Sequence, residues 1–486
     1  MFSKINYNKT TPEKKDKNDK VSYKQSEKFK IGCRASAGVP VAKISNESGM
    51  SREYIYQQKE KVEQYTATLD EPAETGKTVV VTKSFLIRVI LILALYCRSS
   101  LEGIQRFLEY SFGITRSIGY LSDVINEASE RAQKFDDSIR LAGIHQGAND
   151  EIFQGDTPIL TGIDAETSYI YLLEEAKDRS AETWEIYMSD RKDNGLEIDV
   201  SINDGAPGLI AGVTKVYSEA TIQRDVFHAS YELGKEVSKV ERKAYARLKE
   251  EYDLRSRVAG KRVQQKTKER LEEIIPKTEE AIMNYDTINI LYTWLKELLA
   301  FSGYGLEETT TLASFVLKEI ETAAADFTGL QKECEKIRKA LPSLLSYISR
   351  LEKAMEQSAL ELDIPLEAFH IMYRQLSYSA SNQDSQDMQY QLVIMLMEKY
   401  DETRCEFQKL LNRVKKASSL VENLNGRIRD YIDIKRTIPT RFFVLLKVYF
   451  NTRRYKRSRC LERVGKSPLE LLTGKPQPDF LEALGY

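Results

Sequence analysis

The chain has 486 residues, too many for one ordinary core, so several domains are expected. A hydrophobic fraction of 42% can fill such cores, and 30% charged residues with little Gly or Pro point to a helix-rich protein. The formal net charge of −1 gives no overall bias towards a polyanion, so a nucleic-acid partner must be argued from where the charges sit.

They sit at the two ends. Lys4, Lys9, Lys14, Lys15, Lys17, Lys20, Lys24, Lys28 and Lys30 open the chain, and residues 423–466 hold 13 Lys or Arg against Asp430, Asp433 and Glu462. Five scattered cysteines (Cys33, Cys97, Cys334, Cys405, Cys460) with no C-x-x-C spacing argue against a disulfide framework and a zinc ribbon. The most apolar run, Phe85 to Cys97, is interrupted by Arg88 and falls short of the ~20 residues a spanning helix needs. The polar, Lys-rich start has no apolar signal-peptide core. A cytoplasmic protein in a reducing setting, with no membrane partner, is expected.

Residues 1–26 read as a disordered basic arm able to touch phosphates. Over 27–65 the pattern is helix, turn, helix: Ala35, Val41, Ile44, Ile55 and Val62 fall at helix-face intervals, Gly49 marks a tight turn and Ser51 an N-cap. In a helix-turn-helix DNA-binding domain the second helix enters the major groove, which puts Ser51, Arg52, Tyr54, Gln57 and Lys59 opposite base edges. An ordinary helical hairpin fits the pattern equally. Residues 66–80 read as a linker.

A second helical, helix-turn-helix-like domain is expected over 82–136, with a turn at Gly113 and a helix begun by Thr115 and Arg116. It is either another DNA-reading unit or a packing and dimerising layer. From 145 to 229 the period switches to short β-rich runs, "NDEIFQ", "TPILTGIDAETSYIYLLEEA", "LEIDVSIND" and "ATIQRDVFHA", with a helix near Gly208–Tyr217, so an α/β core is expected. Residues 230–416 form a charged helical insertion, for which a coiled-coil scaffold is the plain alternative, with a loop over 378–388. A helix bearing Glu422 and the helix after it occupy 417–452, and 453–486 read as a basic C-terminal tail.

Asp150 precedes the apolar part of one strand, and Asp204 closes another before a Gly-Ala-Pro-Gly turn, which sets both at strand ends. With a third carboxylate on a helix, such a pair can fix two divalent cations ~3.5–4 Å apart, one for the attacking and one for the leaving oxygen of a phosphodiester. Glu422 supplies the third, on a helix that also projects Asn425 and Arg429 along one face, where Arg429 can hold a phosphate. Singly, each acid is explained as well by turn chemistry.

The run "NDEIFQGDTPILTGIDAETSYIYLLEEA" resembles the first catalytic strands of DDE-type bacterial insertion-sequence transposases, which belong to the ribonuclease H-like superfamily. "INDGAPGLIAG" resembles their second-aspartate segment, "RDVFHASYELGK" the strand and helix that follow, and "SSLVENLNGRIRDY" the Glu-bearing helix. "GKSPLELLTGK" is similar to a common ending of transposases and integrases.

The resemblance spans about residues 30–475 and implies an α/β ribonuclease H-like catalytic core with a long all-α insertion, preceded by all-α helix-turn-helix domains. It implies that Asp150, Asp204 and Glu422 are catalytic and hold two Mg²⁺ (or Mn²⁺) ions. The partners it implies are double-stranded DNA, both transposon ends and target, and further copies of the chain in a homodimer or higher assembly, nucleoid-associated when bound. The Tyr and Arg that precede the Glu in some relatives are not evident in "RVKKASSLV", so no narrow subfamily follows.

Asp225 and His228 are possible accessories flanking the metal site, although His228 serves equally as a helix-start hydrogen bonder. Trp294, in "INILYTWLKELL", either stacks on a distorted base or fills the helical core. Glu151 is a rival carboxylate, and Asp164 reads as a turn former. The basic residues after Glu422, interleaved with Phe442, Phe443, Tyr449 and Tyr455, are expected to track the DNA backbone. The rival reading is a catalytically inactive, transposase-derived DNA-binding protein.

Overall fold

The computed structural model describes residues 25–70, 81–259, 264–379, 381–416, 419–435, 437–458 and 460–486. They fall into two compact units, 1–82 and 83–486. The basic arm up to residue 24 and the linker stretch 71–80 lie outside the described residues.

The first unit has three helices, α1 (Gln25–Ser36), α2 (Val41–Ser48) and α3 (Arg52–Asp70). Gly49 ends α2 in the left-handed region (φ 71°), where a side chain is disfavoured, and the Ser51 hydroxyl accepts the Tyr54 N–H at 3.2 Å to start α3. Ile31, Ala35, Ile44, Met50 and Ile55 form a small core. Gly32 lets α1 and α3 touch: a Cβ there would lie 2.5 Å from the Gln58 carbonyl oxygen. α3 runs on to Asp70, so the linker begins later than residue 66.

The second unit opens with α4 (Lys83–Leu95), α5 (Leu101–Phe112) and α6 (Ile118–Asp137), the last capped by Ser117 rather than begun at Thr115. The chain then lays down β1 (Gln146–Gln154), β2 (Thr157–Asp164), β3 (Ile170–Glu175), α7 (Ala181–Asp193), β4 (Val200–Asn203), α8 (Pro207–Val216) and β5 (Thr221–Arg224). The strands form one mixed sheet in the order β3-β2-β1-β4-β5; β1, β2 and β3 are antiparallel neighbours, while β4 runs parallel to β1 and β5.

Alternation along the strands gives the sheet two apolar faces. One, with Ala148, Ile152, Ile163 and Ile202, packs in the same core as α4, α5, α6 and two later helices, α17 (Ser419–Lys435) and α18 (Thr440–Thr452). The other, with Leu160 and Tyr171, packs on Trp184 and Met188 of α7 and Leu209 and Val213 of α8. Because α4–α6 share the sheet's core, they are a layer of this unit, not the separate second helical domain expected over 82–136.

α18 is buried almost throughout. Phe442, Phe443 and Tyr449 lie in the core and so do not face a partner, and Lys447 pairs with Asp136 of α6 at 2.5 Å, both nearly inaccessible. Nor is 453–486 a loose tail. α19 (Pro468–Thr473) and α20 (Phe480–Ala483) each begin with a capping box and bury Leu469, Phe480 and Leu484.

Between β5 and α17 lie α9 (Val226–Val258), α10 (Gln265–Leu298), α11 (Leu306–Ala323), α12 (Thr328–Leu344), α13 (Ser346–Leu362), α14 (Leu366–Gln375), α15 (Gln383–Leu396) and α16 (Tyr400–Arg413). α9 and α10 form a long antiparallel hairpin, tied by Tyr285 to Glu241 and Tyr292 to the Ser230 carbonyl. The others build a core with it, including Leu233, Ile288, Val316, Ile337 and Leu351. The insertion is a globular bundle rather than a bare coiled coil, and α15 claims most of the expected 378–388 loop. Among the described residues no helix is long and apolar enough to cross a membrane.

Candidate active site: a carboxylate cluster on the central sheet

Asp150 stands mid-way along β1, not at its end as the sequence pattern predicts. The strand starts earlier because Gly147 admits the Tyr171 hydroxyl, which a Cβ there would approach to 2.4 Å, and because Asn149 is buried and accepts a hydrogen bond from that hydroxyl at 2.5 Å. Asp150 shares its parity with Ala148 and Ile152, so it points to the sheet face covered by α17. Val421, Leu424, Asn425 and Ile428 form the buried side of that helix. The Asn425 amide donates to Asp150 Oδ2 at 2.6 Å, and the Glu151 backbone N–H donates to Oδ1 at 2.8 Å.

Asp204 directly follows β4. The β1–β4 pairing runs Gln146 to Val200, Gly147 to Ser201 and Ala148 to Ile202; continued by two positions, this register brings Asp150 level with Asp204. The turn is shaped locally: Asp204 Oδ1 accepts the Ala206 N–H at 2.9 Å, and the Arg224 guanidinium donates to the Asp204 carbonyl at 2.9 Å. Gly205 is in the left-handed region (φ 93°), and a Cβ there would lie 2.2 Å from the Arg224 guanidinium, so only glycine lets Arg224 close over this turn.

Glu422 is exposed in the first turn of α17. Burial pushes the Asp150 carboxyl up to about 7, and the charges of Asp204, Glu422 and Glu151 push the same way, against the Glu151 N–H bond. Three acids from distant parts of the chain therefore share one electrostatic neighbourhood. Glu151 points to the opposite face, where the buried Trp184 indole donates to it at 3.3 Å; its carboxyl is raised by burial and by Asp204, while Trp184 and Arg179 act the other way. The cluster is not a closed ligand shell: among the described residues no three His, Cys, Asp or Glu side chains form a ready metal-holding group.

Other sequence candidates take different places. Arg429 is exposed on α17. Asp225 is a buried N-cap of α9, its carboxylate accepting the His228 N–H at 2.9 Å, and His228 lines a cavity with Arg224, Glu232, Glu333 and Lys336. Trp294 is not a buried core residue: it is 38% exposed and packs edge-on against Phe315. Asp164 is a turn former, accepting from Glu166 and Thr167. In the first unit, Ser51, Arg52 and Gln57 are exposed on or beside α3, Tyr54 packs partly on the small core and Lys59 lies 3.6 Å from Glu63. Sequence reasoning missed Arg224 and Trp184, whose roles exist only once β5 and α7 lie beside the acids.

The model of the family described as Transposase, Mutator family, matches residues 152–301. The match supports a bacterial insertion-sequence transposase. It covers about a third of the chain, and of the three candidate acids it spans Asp204 but neither Asp150 nor Glu422. No curated protein matches the chain.

Proposed function

We propose that the chain is a DDE-type transposase with a ribonuclease H-like core, in which Asp150, Asp204 and Glu422 hold two divalent cations, Mg²⁺ or Mn²⁺, and direct cleavage and strand transfer at DNA ends. The observation that carries this reading is the shared electrostatic neighbourhood of those acids on the adjacent central strands β1 and β4 and on α17. The strand order β3-β2-β1-β4-β5 and the Mutator-family match support it.

Three carboxylates make a hard, all-oxygen donor set suited to magnesium or manganese; burial chiefly raises Asp150, and the repulsion from its neighbours that adds to it is relieved by a cation. When bound, such ions activate an attacking hydroxyl and stabilise a leaving oxygen. The protein's own part is positioning: Asp150 rides on the sheet and Asp204 directly follows its strand β4, Asn425 orients Asp150, and Arg224 holds the Asp204 turn. Water serves as nucleophile for hydrolysis and the freed 3′-hydroxyl for transfer.

In the same reading α3 is the recognition helix, with Arg52 and Gln57 at base edges and Ser51, Tyr54 and Lys59 around them. Arg429 contacts a phosphate, and exposed Trp294 is available to stack on a base. Joining two ends calls for at least two copies of the chain.

The test is nicking of labelled DNA carrying the element's own ends, with Mg²⁺ or Mn²⁺, by wild type and by Asp150→Asn, Asp204→Asn and Glu422→Gln. Metal-dependent cleavage lost in each variant, with DNA binding kept, supports the reading. A wild type that binds the ends and never cuts, or variants that cut equally well, overturns it.

A further inference from the structure

On α17, five residues beyond Glu422, Arg427 turns towards α18 and the start of β3. Its guanidinium lies 4.5 Å from the centroid of the Phe450 ring, burial works against its charge, and its Nε has no hydrogen-bond partner among the described residues. It lines a cavity of about 300 Å³ with Arg453, Arg454, Tyr455, Lys456 and Arg457. No carboxylate lines this cavity. Arg454 is engaged by Glu470 at 2.9 Å, but Arg427, Arg453, Lys456 and Arg457 form no ion pair among the described residues. Arg453 is braced by aromatic rings, 5.4 Å from that of Tyr96 and 5.9 Å from that of Tyr449.

Four cations with no carboxylate partner gather around one concavity, Arg427 and Arg453 braced by rings and Lys456 and Arg457 exposed at its edge; they repel one another, and an anion relieves that cost. Arginine forks match the geometry of phosphate oxygens.

We propose that this cavity is a phosphate pocket that grips the DNA backbone at a non-scissile phosphate; the choice of DNA as the source of the phosphate rests on the transposase reading. A helix position five residues on is turned about 140° around the axis and displaced by roughly 7.5 Å, so Arg427 and Glu422 address different phosphates of one strand. α17 thus couples grip to chemistry, with Asn425 and Glu422 towards the acid cluster and Arg427 towards the pocket. This places the basic stretch after Glu422 on DNA through a built pocket rather than through the buried aromatics of α18.

The experiment measures affinity of the full chain for a labelled duplex of arbitrary sequence across a salt series, for wild type, Arg427→Gln and the double variant Lys456→Gln/Arg457→Gln. The exposed pair keeps the test valid if the Arg427 variant fails to fold, as judged by circular dichroism. Loss of one phosphate contact is expected to flatten the slope of log K against log salt by about 0.9, with at least tenfold weaker binding at low salt. An unchanged slope in a folded variant overturns the proposal. So does variant-sensitive binding of inorganic phosphate with duplex affinity intact, which would make the pocket a small-anion site. Because the readout is binding alone, failure of the cleavage assay sinks the active-site reading without touching the pocket, and failure here leaves the carboxylates standing.

Discussion

The Asn425 amide of α17 meets the Asp150 carboxylate of β1 at 2.6 Å across 275 positions of chain. Everything between them, four further strands and the whole helical insertion, is folded so that one helix returns to the strand on which the site begins. Asn425 is fully buried and its carbonyl oxygen has no partner among the described residues, so its one strong bond is the one to Asp150.

Asn425→Ala removes the donor and leaves a buried carboxyl oxygen without it, at a cost of about 1–3 kcal/mol. The expected outcome is a lower urea midpoint and cleavage slowed by at least tenfold, with DNA binding retained. Asn425→Asp brings a further negative charge against Asp150 and should be worse on both measures. Wild-type cleavage by Asn425→Ala would remove the positioning role.

The second prediction concerns pH. The Asp150 carboxyl keeps its proton to about pH 7 in the folded chain, against an ordinary 3.8. Between those values the folded state binds the extra proton, so this group's contribution to stability is present at low pH, falls as pH rises and levels off above about 7. The full effect is roughly 4 kcal/mol at most. Asp150→Asn cannot titrate, so in chelator its urea midpoint should gain on wild type between pH 5 and pH 8, measured as the difference between the two proteins. A constant difference means Asp150 is an ordinary exposed acid.

What was legible in the sequence was mainly local. Gly49 and Ser51 announce the start of α3 because a left-handed residue and a cap act within one turn. The β-rich block and the long helical insertion show through their periods. That α4–α6 belong to the sheet's own core was not legible, because an apolar helix face reads the same whether it covers its own hairpin or a sheet. Lys447 misled for a related reason: a lysine amid aromatics looks interfacial until Asp136, far back in the chain, lies beside it. Asp150 seemed to begin its strand because Gly147 and Asn149 are poor strand formers, and only the Tyr171 side chain explains them. The folded C-terminus was readable in part, since Ser467, Pro468 and Glu470 spell a capping box.

That buried pair gives a third prediction. Lys447→Met alone strands the Asp136 carboxylate in the core and should cost about 3–5 kcal/mol. Lys447→Met with Asp136→Leu replaces both charges by apolar groups and should recover most of the loss. Urea midpoints of the four proteins in the cycle measure it; strictly additive losses would show that the two residues do not act as a pair.

The last prediction separates reading of bases from grip on phosphates. Arg52 and Gln57 are exposed at the start of α3, where a recognition helix meets base edges. Arg52→Ala or Gln57→Ala should cost about 1–3 kcal/mol of discrimination at particular base pairs, seen as relaxed preference in a binding-site selection, with non-specific affinity little altered for Gln57→Ala. Deleting residues 1–24, which carry seven of the opening lysines, should instead weaken binding to every duplex and flatten its salt dependence. If all three changes weaken every sequence equally, α3 contributes charge alone and the base-reading surface lies elsewhere on the chain.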